Sequence, residues 1–110
     1  MSVESQWLWQ GSDSDGVDSR IARAQWQTHV ANRPEIAPAL ELTVRAMLAP
    51  DTIEPDRQKP DEAHRHFRLL TVSADGLRIG YMLRVSVKYV QQESGHWIKF
   101  FQSAWLERKR

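Results

Sequence analysis

The sequence predicts an α+β fold: two N-terminal helices followed by a three- to four-stranded antiparallel sheet. Three observations point there. Apolar residues between positions 19 and 48 recur at helical spacing. Residues 64–105 fall into three strand-like runs. Pro, Gly, Asp and Ser cluster between these segments. No internal repeat or low-complexity tract breaks this order.

Residues 5–10 alternate polar and apolar side chains and read as a short strand or an arm. Residues 11–16, Gly-Ser-Asp-Ser-Asp-Gly, read as a loop, so 1–18 form an arm and loop and 19–110 a single domain. Asp13, Asp15 and Asp18 lack the glutamate that a calcium loop needs at its twelfth position, where Ala24 stands. Asp18 or Ser19 reads as an N-cap instead. A first helix spans 19–31, with Ala22, Trp26, His29 and Val30 on one face, and Pro34 stops it. A second helix fits 35–48, where Ile36, Leu40, Val44, Met47 and Leu48 make an apolar stripe. Pro38 lies in its first turn, where a missing amide proton costs little.

Residues 52–59 form a short edge strand, kept from the sheet centre by Pro55 and Pro60. A run over 64–73 reaches the turn Ser73-Ala74-Asp75-Gly76 and leads into 78–90. There Leu83, Val85 and Val87 share one face, and Arg84, Ser86 and Lys88 the other. Residues 91–95 make a hairpin loop, and 96–105 a strand with apolar residues on both faces. Of five tryptophans, Trp26 and Trp97 read as core. Trp7 and Trp9 read as partner-contacting residues of the arm, which suits a homodimer.

With 110 residues the chain is one domain with room for a core. It has no cysteine, which excludes disulfides and thiolate metal sites. The first ten residues lack the basic and apolar regions of a signal peptide, and no apolar run of membrane-spanning length occurs, so the expected compartment is the cytoplasm. Net charge is +1, but it divides unevenly. Residues 1–56 hold four Lys or Arg against nine Asp or Glu; residues 57–110 hold eleven against five, three of them in the Arg108-Lys109-Arg110 tail. A basic half of this kind suits a polyanionic partner.

The residues that suit chemistry lie in or beside this basic half. Imidazole is the side chain best suited to a general base, and His29 is the first candidate, His66 the second. His64 and His66 alternate on one strand, with no third ligand at metal-binding spacing. Arg68, Arg84 and Lys88 lie on the strands, in many proteins simply a solvated face. Asp56 and Arg57 fit a loop ion pair.

The order of short motifs adds a resemblance. Trp26-x-x-His29-Val30 is followed by Arg33-Pro34-Glu35, a helix, Pro50-Asp51-x-Ile53, Asp56, His66-Phe67-Arg68, Val85-x-Val87-Lys88 and Ser103-Ala104-Trp105. This resembles the phage and mobile-element branch of the barnase–EndoU–colicin–RelE nuclease superfamily. The resemblance covers about residues 19–105. Two positions depart from the pattern: Arg33 stands where a second histidine is usual, and Ser103 and Trp105 stand for threonine and tyrosine.

The resemblance implies an RNase-like domain, a toxin or phage accessory nuclease. It would cleave RNA, tRNA included, without metal or cofactor, by attack of the 2′-OH on the adjacent phosphate. It implies His29, Arg68, Lys88 and Ser103 as catalytic residues, and Arg33, His66, Arg84 and Trp105 as substrate-binding ones. It also implies a cognate antitoxin or immunity protein as partner. The alternative on the same scaffold is a non-catalytic module that binds RNA or protein.

Overall fold

The computed structural model describes residues 6–56, 58, 63–70 and 81–108. The expected turn at 73–76, Arg57 and the Lys109–Arg110 end of the tail lie outside them. The chain order is β1 (Trp7–Ser12), β2 (Asp18–Ala22), α1 (Arg23–Asn32), a 3-10 helix (Pro34–Ala39), α2 (Leu40–Leu48), β3 (Thr52–Pro55), β4 (His64–Leu69), β5 (Tyr81–Gln91) and β6 (Trp97–Arg108).

The six strands form one mixed sheet in the order β1-β2-β6-β5-β4-β3. This corrects the expected fold class. The helices are not N-terminal to the sheet, because a hairpin precedes them. The sheet has six strands rather than three or four. It is not wholly antiparallel, because β2 runs parallel to β6, pairing Asp18 with Ile98 and Arg20 with Phe100.

The reason for the miss lies in residues 18–22. Ser19 and Ile21 are buried while Asp18, Arg20 and Ala22 are only half-buried, a strand alternation too short to separate from the helical pattern that begins at Ala22. The hairpin turn supplies what the local pattern lacks. Asp13 Oδ1 accepts from the Asp15 and Val17 amides, each at 2.9 Å, and Gly16 takes a φ of 78° that suits glycine. Of the two readings of residues 5–10, a short strand or an arm, the strand holds: Trp7–Ser12 is β1. Trp7 lies tilted against Phe100 under the Arg20 guanidinium, and Trp9 packs against the core. Neither Asp18 nor Ser19 caps a helix, since α1 starts at Arg23 after Ala22. The second helix divides, with Pro38 inside its 3-10 part and α2 starting at Leu40.

Helices α1 and α2 cover one face of the sheet. Leu83, Val85 and Val87 of β5, Phe67 and Leu69 of β4, and Phe101 and Ala104 of β6 form the core there with Trp26, Ile36, Leu42 and Met47. Trp97, expected in this core, is 46% exposed. The other face carries Arg84, Ser86 and Lys88 of β5 opposite Trp105, Ser103 and Phe100 of β6.

Lys99 leaves the basic face altogether. It is 1% exposed, its ammonium 3.0 Å from Asp13 Oδ2, bonded also to the Met47 carbonyl and 4.5 Å from the Phe67 ring centre. Burial pushes the Lys99 ammonium below its ordinary value against the pull of Asp13. Burial opposes ionisation of Asp13, but the Val17 amide, Lys99 and the Asp15 amide outweigh it and hold the carboxyl low. One lysine thus joins the hairpin turn, the end of α2 and the core.

Removing one partner of a buried pair leaves the other uncompensated, so K99M costs about 3 kcal/mol of stability. The double variant D13N/K99M recovers most of that loss, because a carboxamide in place of the carboxylate keeps an oxygen for the turn amides. Urea unfolding midpoints measure both.

Candidate functional site

The open face of the sheet carries a cleft of about 610 Å³ lined by Asp56, His66, Arg84, Ser86, Ser103 and Trp105, with Gln25, Gln58 and Gln102 at its wall. The register assembles it. His66 of β4 stands opposite Ser86 of β5, and Ser86 opposite Ser103 of β6. Arg84 stands between Arg68 and Trp105 in the neighbouring row. Beyond Ser103 the β5–β6 register slips, so that Val87 faces Phe101 and Gln102 is the extra residue. The bulge brings Gln102 to the cleft wall and shifts the alternation by one residue, so that Phe101 and Ala104 both face the core while Phe100 and Ser103 both face the open side.

His66 is fixed at both ring nitrogens. Its Nδ1 lies 2.9 Å from Arg84 Nη1, and its Nε2 lies 3.2 Å from Asp56 Oδ2. A guanidinium only donates, so Nδ1 accepts and the ring proton sits on Nε2 facing the carboxylate. Asp56 is buried, and its Oδ1 accepts the Gln58 amide at 2.9 Å. The edge of the His66 ring meets Trp105 at 5.4 Å between centres, 88° apart in plane.

Arg84 is held by two more acids. Glu107 takes its Nε and Nη2, and Glu54 Oε2 its Nη1 at 3.1 Å. Glu54 Oε1 also takes Arg68 Nη1 at 2.6 Å, so one glutamate bridges both arginines. The bond from Arg68, with help from Arg84, holds the Glu54 carboxyl below its ordinary value against desolvation. Among the described residues no three His, Cys, Asp or Glu side chains are placed to hold a metal ion.

Of the eight site residues expected from sequence, the cleft gathers four: His66, Arg84, Ser103 and Trp105. Arg68 joins them through Glu54. Three stand apart. His29 lies with its Nε2 3.0 Å from the Ala104 amide nitrogen, off the cleft lining. Arg33 is exposed beside Glu35, at 3.9 Å. Lys88 is exposed on the same face, outside the lining.

The sequence marks no role at this site for Glu54, Glu107, Ser86 or the three glutamines, and Asp56 reads there as a loop residue. Strand alternation carried part of the signal. Carrying the last strand past Trp105 puts Glu107 on the same side as Ser103 and Trp105, and Glu54 shares its side with His66. The bulge at Gln102 left no local mark.

A carboxylate held low contributes stability that is present well above its ordinary value, 4.5 for Glu54, and is lost as pH falls beneath it. E54Q removes this contribution, so its unfolding midpoint depends less on pH through the acid range than that of the native chain. Thermal unfolding followed from neutral pH downward tests this. Comparison with known proteins adds no family: no family model, no curated protein and no solved structure matches the chain.

Proposed function

We propose that this chain is a metal-independent RNA-cleaving domain acting in the cytoplasm, with its chemistry organised on His66 in the open-face cleft. One observation carries the reading: an imidazole oriented by Asp56 and Arg84 shares a cleft with the Ser86 and Ser103 hydroxyls and the Trp105 ring. A proton-transfer group, a cation, hydroxyl donors and a stacking surface are what cleavage by a 2′-OH needs.

In this reading a nucleobase stacks on Trp105 and the scissile phosphate draws the Arg84 guanidinium. That frees the Nδ1 lone pair of His66 to take the 2′-OH proton. Asp56 then holds the imidazolium through Nε2. The 2′-oxygen forms its bond to phosphorus as the bond to the 5′-oxygen breaks, and that oxygen leaves with a proton from water. The products are a 2′,3′-cyclic phosphate and a 5′-hydroxyl. Ser103 donates to a nonbridging oxygen, and Arg84 balances the charge that develops there.

A second reading rests on the acids. Glu54 and Glu107 already match Arg68 and Arg84, so RNA must compete with two carboxylates for both cations. This favours a non-catalytic module that binds RNA on the same face without turnover.

Incubation of the purified chain with total RNA in EDTA separates the two. The cleavage reading expects cyclic-phosphate ends, and a loss of at least about 100-fold in H66A, the scale of general-base catalysis. Salt-dependent retention of RNA without new ends supports the binding module. Cleavage unchanged in H66A contradicts the proposed site.

A further inference from the structure

Two residues of α1 grip β6 on either side of Ser103. Gln25 Nε2 donates to the Gln102 carbonyl at 2.6 Å. One helical turn on, His29 Nε2 faces Ala104, 3.0 Å from its amide nitrogen and 2.5 Å from its carbonyl oxygen. The spacings agree: four residues rise about 6 Å along a helix, and two residues about 6.6 Å along a strand. The edge of the His29 ring also meets Phe101, the residue before the bulge, at 5.8 Å. Ser103 stands between the two anchored residues, opposite Ser86 and lining the cleft.

We infer that His29 is a positioning residue which, with Gln25, clamps the β6 backbone around Ser103 and so sets Ser103 and Trp105 in the cleft. The inference rests on the cleavage reading for its effect on rate, but the clamp itself does not. A bulge places an extra residue with no ladder partner, and its backbone needs fixing from outside the ladder. Gln25 satisfies the bulge carbonyl. His29 holds the next residue but one, Ala104, which stands opposite Val85 one step after regular pairing resumes at Ser103. Its Nε2 is directed at this backbone, and the base role expected of His29 passes to His66.

The ring nitrogen serves the amide when unprotonated and the carbonyl when protonated, never both at once. A carboxamide offers an oxygen for the amide and an N–H for the carbonyl together. Glutamine at position 29 therefore replaces the clamp but cannot replace a proton-transfer group. Phenylalanine keeps the ring against Phe101 and removes the polar grip.

The test compares H29Q, H29F and Q25A in the full chain, by RNA cleavage in EDTA and by amide hydrogen exchange at Ala104. The clamp expects H29Q to stay within about threefold of the native rate. It expects H29F to lose roughly tenfold or more in kcat with KM little changed, the pattern of a misplaced group, and the Ala104 amide to exchange faster. Q25A, a change at an exposed residue, gives a smaller loss in kcat of the same kind and serves should H29F fail to fold. H29Q as inactive as H29F, with Ala104 exchange unchanged in both, overturns the inference and returns His29 to proton transfer. If the native chain cuts no RNA, the cleavage reading fails while exchange still decides the clamp: faster exchange in H29F upholds it, and unchanged exchange overturns it.

Discussion

The antiparallel ladder between β5 and β6 is the constraint on which the rest of the molecule depends. It runs from Tyr81 opposite Arg108 to Gln91 opposite Trp97, with one slip at the bulge. Side chains alternate across a strand, so this register sends Leu83, Val85, Phe101 and Ala104 to the helices and Arg84, Ser86, Ser103 and Trp105 to the open face. A shift of one residue would exchange the two sets. The core and the cleft are therefore two sides of one decision, and apolar burial against α1 and α2 makes it. β4 extends the alternation with Phe67 inward and His66 outward, and β3 places Glu54 opposite His66.

Electrostatics then divides the basic half of the sequence into unlike parts. Lys99 points into the core, where Asp13 and the end of α2 hold it, and serves the fold. Arg68 and Arg84 stay on the open face, but Glu54 and Glu107 fix their position and neutralise them. Lys88 alone of these strand cations is exposed on the open face. The face is therefore an ordered network of paired charges rather than a broad positive surface. Such a network suits a site that recognises one placed ligand better than one that attracts polyanions at a distance.

The extent to which this was legible in sequence follows the length of each pattern. β5 is eleven residues of near-strict alternation, and its two faces were readable directly. Residues 35–48 carried a helical stripe, although the 3-10 to α change between Ala39 and Leu40 was not marked. Residues 18–22 are too few to show their period against an adjoining helix, so the N-terminal hairpin and the parallel β2–β6 pairing were missed. A parallel pair joins Asp18–Arg20 to Ile98–Phe100, far apart in the chain, and leaves no signature in either. At the site, alternation on β5 reached Arg84, while Ser103 and Trp105 were expected from the order of short motifs, since residues 96–105 show no clean period. Asp56 and Gln25 come to the cleft through tertiary packing, and Lys99 was turned inward by a partner on a distant turn.

We propose that a nucleic-acid ligand seats in the cleft around His66. Titration of the isotopically labelled chain with a short 2′-O-methylated RNA, which cannot react, followed by two-dimensional NMR, tests it most directly. Binding there gives saturable shifts concentrated at Asp56, His66, Arg84, Ser103 and the Trp105 indole, with the His66 nitrogens changing as Arg84 is drawn away. Shifts centred instead on the apolar groove of Ile53, Tyr89 and Trp97, or no saturable shift at all, would contradict it.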